Sequence, residues 1–333
     1  MILLMSTGIF RIPLVSSLLG QPVGLRNETN QLSVVAGWGR KKSGRQAERL
    51  ASRYGVPCWW LEDGFLRSHG TGERFPPLSL VVDNQGIYYD STRPSALETL
   101  LASSVDVLNG IADDVKRAKD LVLEHRLSKY NHAPLLNLED FPHPNPEERI
   151  NGGDVQRVLV IDQTAGDLSV SLGAANADTF AAMLSAAYAE NPQATIYVKT
   201  HPEVTSGRKG GYLTHVQDDA RTVVLRQAVN PLSLIEQMDK VYVVTSTMGF
   251  EALLAGKPVS VFGMPWYAGW GATDDRQVCA RRTRKRTVDE LFAAAYFRYT
   301  RYLNPVTHER GTIFDVIEWL VRQREAESRF DGD

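Results

Sequence analysis

The chain has only two cysteines, Cys58 and Cys279, in 333 residues. Two thiols cannot build a disulfide framework, so a reducing, cytoplasmic setting is the expectation. Neither sign of charge is in excess: 37 Lys and Arg stand against 39 Asp and Glu, a formal net charge of −2. That balance sets aside a nucleic-acid backbone as the main partner. No apolar run reaches the length of a bilayer span. The apolar residues 1–10 have no basic segment before them and run into Arg11 and Pro13, a poor match to a signal peptide. Neither Cys nor His shows metal-ligand spacing, so no metal or other cofactor is expected. Internal repeats are absent, and one basic run is the sole biased tract.

What remains is globular material, 43% hydrophobic with 26 Gly and 16 Pro. At this length two domains are expected rather than one core. Strand, turn and helix alternate through the first half. Residues 33–36 and 58–61 read as strands, 46–54 as a helix, and 78–82 with 86–89 as a hairpin. Residues 95–103 and 106–127 carry helical patterns. Residues 140–154, rich in Pro, Gly, Asn and charge, form the best linker. The rhythm then restarts, with strands at 157–161, 195–199, 222–225, 240–245 and 258–262. Helices fall between them, and two more, near 288–302 and 313–325, close the chain. The expected fold is α/β with two facing, doubly wound sheets and ligands in a cleft beyond the strands' carboxyl ends. The expected domains are 1–145, 146–305 and a C-terminal helical segment, 306–333, packing back across them.

Several strand ends carry reactive groups. Glu62-Asp63-Gly64 follows the strand 58–61 and could bind or deprotonate an acceptor hydroxyl; Asp-Gly is equally a turn pair. Lys199-Thr200-His201-Pro202 follows the strand 195–199, where an imidazole and an ammonium could stabilise a leaving phosphate. Asp162-Gln163-Thr164-Ala165-Gly166-Asp167 follows the strand 157–161 and offers two carboxylates, either of which could face a sugar carbon. Ser246 and Thr247 precede a helix and suit a phosphate or an ordinary N-cap. Trp266, Tyr267 and Trp270 could stack on a base or sugar, or plug the sheet edge.

The glycines 37, 39 and 44 do not match the dinucleotide spacing, so a Rossmann NAD site is rejected. Arg40, Lys41, Lys42 and Arg45 offer instead a rim for an anionic acceptor. The basic run Arg281, Arg282, Arg284, Lys285 and Arg286, with Tyr296, Phe297, Tyr299 and Tyr302 after it, could touch anionic lipid headgroups or could simply be a solvated loop.

Weak singly, these motifs are specific in their order. The strings GIFRIP (8–13), LEDGFLR (61–67), PPLSLVVDNQGIYYD (76–90), DQTAGDLS (162–169) and MPWYAGWGATDDR (264–276) resemble the KpsC-type capsular polysaccharide β-Kdo transferases, especially their amino-terminal module. Kdo is 3-deoxy-D-manno-oct-2-ulosonic acid. The resemblance covers nearly the whole chain, although such enzymes usually carry two transferase modules and this chain has length for one. It implies a GT-B fold and a donor, CMP-Kdo, held by the second domain through His201, Ser246 and Thr247. It further implies a Kdo-terminated lysophosphatidylglycerol-type acceptor on the first domain, and capsule assembly proteins and the inner-membrane surface as partners. Transfer would retain configuration through an aspartate nucleophile. The motif puts that role on Asp167, with Asp162 as its rival, and Glu62 would serve the acceptor. Asp63, Gly64, Arg67, Gln163, Lys199, Pro202 and the three aromatics complete the expected binding set, with Lys199 or Arg67 on the Kdo carboxylate.

Overall fold

A computed structural model describes residues 1–26, 31–139, 141–144 and 155–330. Two compact units divide the chain, Met1–His132 with Asp289–Asp333, and Ala133–Val288.

The first unit begins with β1 (Ile2–Leu4), β2 (Val23–Gly24), β3 (Val34–Trp38), β4 (Cys58–Asp63) and β5 (Ser79–Asp83). β1, β2, β3 and β4 pair in parallel, in the order β4-β3-β1-β2. Apolar runs such as Val34-Val35-Ala36 are buried, which suits strands covered on both faces. β5 lies antiparallel to β4.

The second unit holds β6 (Arg157–Ile161), β7 (Thr195–Lys199), β8 (Thr222–Leu225), β9 (Lys240–Val243), β10 (Val259–Val261) and β11 (Asp274–Asp275). All pairings are parallel, in the order β11-β10-β9-β6-β7-β8. Val158, Val160, Ile196, Val198 and Tyr242 pack against Phe180 and Met183 of the helix Ala177–Glu190. The chain steps outward from β6 to β8, then crosses back to β9 on the other side. The order therefore reverses between β6 and β9, and the carboxyl ends of those two strands flank the crevice where such sheets bind ligands.

The chain then returns to the first sheet. β12 (Thr300–Leu303) pairs antiparallel with β5, and β13 (Arg310–Gly311) extends that edge. Two Rossmann-like α/β units are thus present, the arrangement expected of the GT-B class.

The expected boundaries shift. Residues 289–305, assigned from sequence to the second domain, belong to the first unit, because β12 finds its hydrogen-bond partners on β5. The helix expected over 288–302 is α-helical over Val288–Phe292 and π-helical over Ala293–Tyr299, then turns into β12. The first break falls at His132, ahead of the expected linker. Most of that linker, 140 and 145–154, lies outside the described residues. Phe141 within it is buried and stacks on Tyr197, ring centroids 5.0 Å apart.

The expected hairpin is also replaced. Residues 86–89 form no strand, because the buried Asp83 carboxylate accepts from the amides of Gln85, Gly86 and Ala96 and from the Tyr299 hydroxyl. That capture turns the chain toward the helix Ala96–Ala102. The closing helix, Ile313–Phe330, is held within the first unit, where Glu327 Oε2 lies 2.7 Å from Nε2 of buried His69.

Candidate active site

The carboxyl ends of β6 and β9 are tied together by one side chain. Gln163 accepts from the Thr245 amide at 3.0 Å and donates to its hydroxyl at 3.0 Å. A buried amide used this way fixes the separation of the two strand ends; it is the wall of the site rather than a free contact group.

Asp162 directly follows β6 and is buried. Its Oδ1 accepts from the amides of Gln163 and Tyr212, at 2.8 and 3.1 Å, and its Oδ2 from the Leu213 amide at 3.1 Å. Three donors occupy three of about four lone-pair positions, which orients the carboxylate and leaves room for one further contact. Burial raises its pKa, against the pull of those amides and of His201. The segment opposite is zipped on as well, through a bridge between Thr164 and Gly211 and an Ala165 amide that donates to Gly210.

Asp167 lies five residues on and is exposed. It caps the helix Leu168–Leu172, accepting from the Ser169 amide at 2.9 Å.

Lys199, at the end of β7, is buried with its Nζ donating to Thr200 O at 2.7 Å. Burial alone pushes its pKa down to about 8. His201 beside it is partly exposed, and its Nδ1 accepts from the Glu203 amide at 3.2 Å. Burial holds its pKa below the usual imidazole value, Lys199 and Lys209 push the same way, and Glu203 and Asp167 oppose them. Pro202 opens the short helix Pro202–Thr205; its side chain is outside the described set. Ser246 and Thr247 are half-buried at the start of the helix Met248–Leu254, with Ser246 Oγ accepting from the Met248 amide. Asp162, Asp167, Lys199 and His201 thus interact electrostatically at the end of this sheet, and the Gln163 clamp joins that end to Thr245, the residue before Ser246.

In the first unit, Glu62 and Asp63 end β4. Glu62 is half-buried and burial raises its pKa; Lys129 and Lys41 counter that rise, while Asp63 adds to it. Gly39 makes room for this carboxylate: a Cβ there would sit 3.3 Å from Glu62 Oε2 and 2.1 Å from the Tyr89 hydroxyl, at a φ of +37°. Asp63 is paired with Arg67 at 2.9 Å, and Arg67 also donates to Ser68 Oγ and Phe75 O. Gly64 is required by contact, since its Cβ would meet Ser79 Oγ at 2.0 Å.

The three aromatics are not available to a ligand. Trp266, Tyr267 and Trp270 are at most 4% exposed. Tyr267 donates to Ser246 O, and Trp270 Nε1 donates to Trp266 O. Their flat faces are spent on packing, so the plug reading holds and the stacking reading fails. The basic run is split, with Arg281, Arg284 and Lys285 exposed. Arg282 and Arg286 are buried, Arg282 donates to the carbonyls of Pro265 and Ala268, and Tyr296, Tyr299 and Tyr302 are buried too. A lipid contact there has no exposed tyrosine to offer.

Sequence reasoning missed Lys129. Nothing local marks it; an isolated bridge between Ser68 and Tyr130, with the Arg67 amide donating to Lys129 O, lays it beside the LEDGFLR segment. Among the described residues no group of three or more His, Cys, Asp or Glu could hold a metal ion, and no helix is long and apolar enough to cross a membrane.

Comparison with known proteins gives this geometry a context. The family model of capsule polysaccharide biosynthesis proteins matches residues 33–303. The capsule polysaccharide modification protein LipA of Neisseria meningitidis serogroup B is 45% identical over 98% of this chain and 46% of its own length. The lipopolysaccharide-processing protein LpsZ of Rhizobium meliloti is 40% identical over 80% of this chain and 58% of its own. The chain spans less than half of that LipA. Among solved structures, the β-Kdo 2,4 transferase of Thermosulfurimonas dismutans KpsC is 46% identical with a TM-score of 0.86, covering 96% of this chain and 97% of that one. The β-Kdo 2,7 transferase of the same KpsC is 27% identical with a TM-score of 0.68, at the same coverage. From its sequence and its fold alike, the chain belongs to the capsule polysaccharide biosynthesis protein family.

Proposed function

We propose that this chain is a retaining β-Kdo transferase that moves Kdo from CMP-Kdo to the Kdo-terminated end of a lysophosphatidylglycerol-type glycolipid, forming a 2,4 linkage. The observation that carries the reading is the likeness to a β-Kdo 2,4 transferase over 96% of the chain, well above the likeness to the 2,7 transferase.

The donor belongs to the second unit, at the reversal between β6 and β9. The bond from the anomeric carbon to the phosphate oxygen breaks, and CMP leaves with the electron pair. His201 and Lys199 are the cationic and hydrogen-bonding groups for the phosphate and the sugar carboxylate, with Ser246 and Thr247 beside them. Of the two carboxylates, we assign the nucleophile to Asp162 instead of Asp167. A nucleophile has to be held in one orientation, and three backbone amides do that for Asp162, whereas Asp167 is exposed and engaged as a helix cap. An ester to the sugar forms, and the acceptor hydroxyl then displaces it.

The acceptor belongs to the first unit. Glu62, its pKa raised by burial, takes the acceptor hydroxyl's proton. Lys129 and Lys41 supply positive charge for the acceptor's carboxylate. No step is assigned to a metal.

The test is CMP release and acceptor lengthening by one sugar, followed by mass spectrometry of trapped enzyme. Asp162→Asn should lose at least about a thousandfold in turnover while Asp167→Asn stays active. Fragment ions should place the sugar on Asp162. An adduct on Asp167 would reverse the assignment, and absence of transfer by the wild type would end the reading.

A further inference from the structure

We propose that Arg324, on the closing helix Ile313–Phe330, is a positioning residue of the acceptor site, which through Asn131 holds Lys129 beside Glu62. The inference rests on the reading of Glu62 and Lys129 as acceptor-site groups. Lys129 is joined to the LEDGFLR segment by its backbone. Its carbonyl accepts from the amides of Arg67 and Ser68, at 3.1 and 3.3 Å, and Ser68 bridges Tyr130 in parallel. So short a pairing is not stable by itself in water. Whatever fastens residues 125–131 therefore decides where this ammonium stands.

Asn131 is the first fastener. It is buried, its amide donates to His69 O at 2.6 Å, and its Nδ2 donates to Ser68 O at 3.0 Å and to Ser128 O at 2.9 Å. Its Oδ1 accepts from the Ser128 amide at 2.9 Å and from Arg324 Nη2 at 3.4 Å. The same guanidinium donates to the carbonyls of His125 and Arg126. Arg126 has a φ of +48°, in the left-handed region that side chains disfavour, so this turn depends on the bonds closed over it. Glu327, three residues further along the helix and on the same face, takes the other strand of the bridge at His69 Nε2, 2.7 Å away. The closing helix thus clasps both strands, through partners 193 and 258 positions apart in the chain.

The clasp has a chemical consequence at Glu62. Burial raises the pKa of that carboxyl, and Lys129 is the strongest of the groups opposing the rise; Lys41 helps it, and Asp63, itself paired with Arg67, works against it. The Tyr89 hydroxyl, which accepts from the Arg40 amide, faces the same carboxylate across Gly39. A general base acts ionised, so Lys129 in place extends the range of acid pH over which Glu62 can take a proton. The same ammonium supplies charge for the acceptor's carboxylate. Releasing residues 125–131 should therefore move the acid limb of the rate profile upward and weaken the acceptor, while the donor, bound in the second unit, is untouched.

The test is the titration of Glu62 in the whole chain, read by NMR of isotope-labelled glutamate and assigned by the signal lost in Glu62→Gln. It needs no turnover, so it decides this inference separately from any failure to find transfer, which would count against the transferase reading alone. Arg324→Met should raise the Glu62 midpoint by at least about half a pH unit, as should Lys129→Met, and the double variant should go no further than Lys129→Met. Arg324→Lys, a milder variant that keeps the charge and one donor, should move it the same way by less. Arg322→Met, which removes an exposed charge from the same helix, should leave it in place. In the transfer assay Arg324→Met should shift the acid limb of kcat/KM with the midpoint and raise the acceptor KM about threefold, with the KM for CMP-Kdo unchanged. A wild-type midpoint in Arg324→Met or Arg324→Lys overturns the proposal. So do shifts from Arg324→Met and Lys129→Met that simply add, which would make Arg324's own charge the cause, and so does a donor KM that rises with the acceptor's, the mark of a general loosening.

Discussion

Lys199 offers the sharpest single test of the second unit's electrostatics. Its ammonium is buried at the end of β7, with one hydrogen bond, to Thr200 O. The fall in pKa from 10.5 to about 8 comes from burial. At roughly 1.4 kcal/mol per pH unit, holding this lysine charged costs the fold about 3 kcal/mol at neutral pH. The folded value lies below the unfolded one, so between pH 8 and 10.5 the unfolded chain binds more protons. Stability therefore rises with pH across that window. Lys199→Met removes the penalty and one hydrogen bond worth about 1 kcal/mol, a net stabilisation of about 2 kcal/mol below pH 8. Urea unfolding of both proteins at several pH values measures it, and the difference between them cancels other alkaline titrations. The gap should be widest below pH 8 and close toward pH 10.5. An anion seated against Lys199 should raise its pKa again, so CMP binding near pH 9 should take up protons, read by calorimetry in buffers of different ionisation enthalpy. A methionine variant no more stable than the wild type, or a gap that ignores pH, would refute the reasoning.

Other outcomes follow from close contacts. Gly64→Ala should destabilise the chain by about 3 kcal/mol, because its Cβ would fall 2.0 Å from Ser79 Oγ and 2.6 Å from Ser79 Cβ; adding Ser79→Gly should restore part of the loss in chemical denaturation. Arg282→Met should cost about 2 to 3 kcal/mol by the same measurement, since the carbonyls of Pro265 and Ala268 lose a buried donor. Cys58, its thiol pushed up to about 12 by burial and by Glu48, should resist iodoacetamide at pH 8, and rapid stoichiometric labelling of its peptide would contradict that.

Much of the layout was legible in the chain. The strands 157–161 and 195–199 were visible because they are buried on both faces and hence apolar along their length, and their carboxyl ends pointed to Asp162, Lys199 and His201. The contrast between Asp162, buried and held by backbone amides, and Asp167, exposed at a helix cap, was not visible. Both are loop aspartates near a glycine in sequence, and only the amides of Tyr212 and Leu213, some fifty positions away, set them apart. The aromatics misled for a related reason. A loop at a strand's end can expose its rings or fold them inward, and the choice was made by Phe250, Arg282 and the Ser246 carbonyl closing around them.

Local pattern alone therefore determined the α/β class, the two-part division and the polar strand ends, since burial period and turn chemistry act over a few residues. The tertiary structure decided which half residues 289–305 join, which carboxylate is held rigid and where Lys129 stands. Those outcomes depend on hydrogen bonds and packing between segments tens to hundreds of residues apart, and no window of sequence contains both partners.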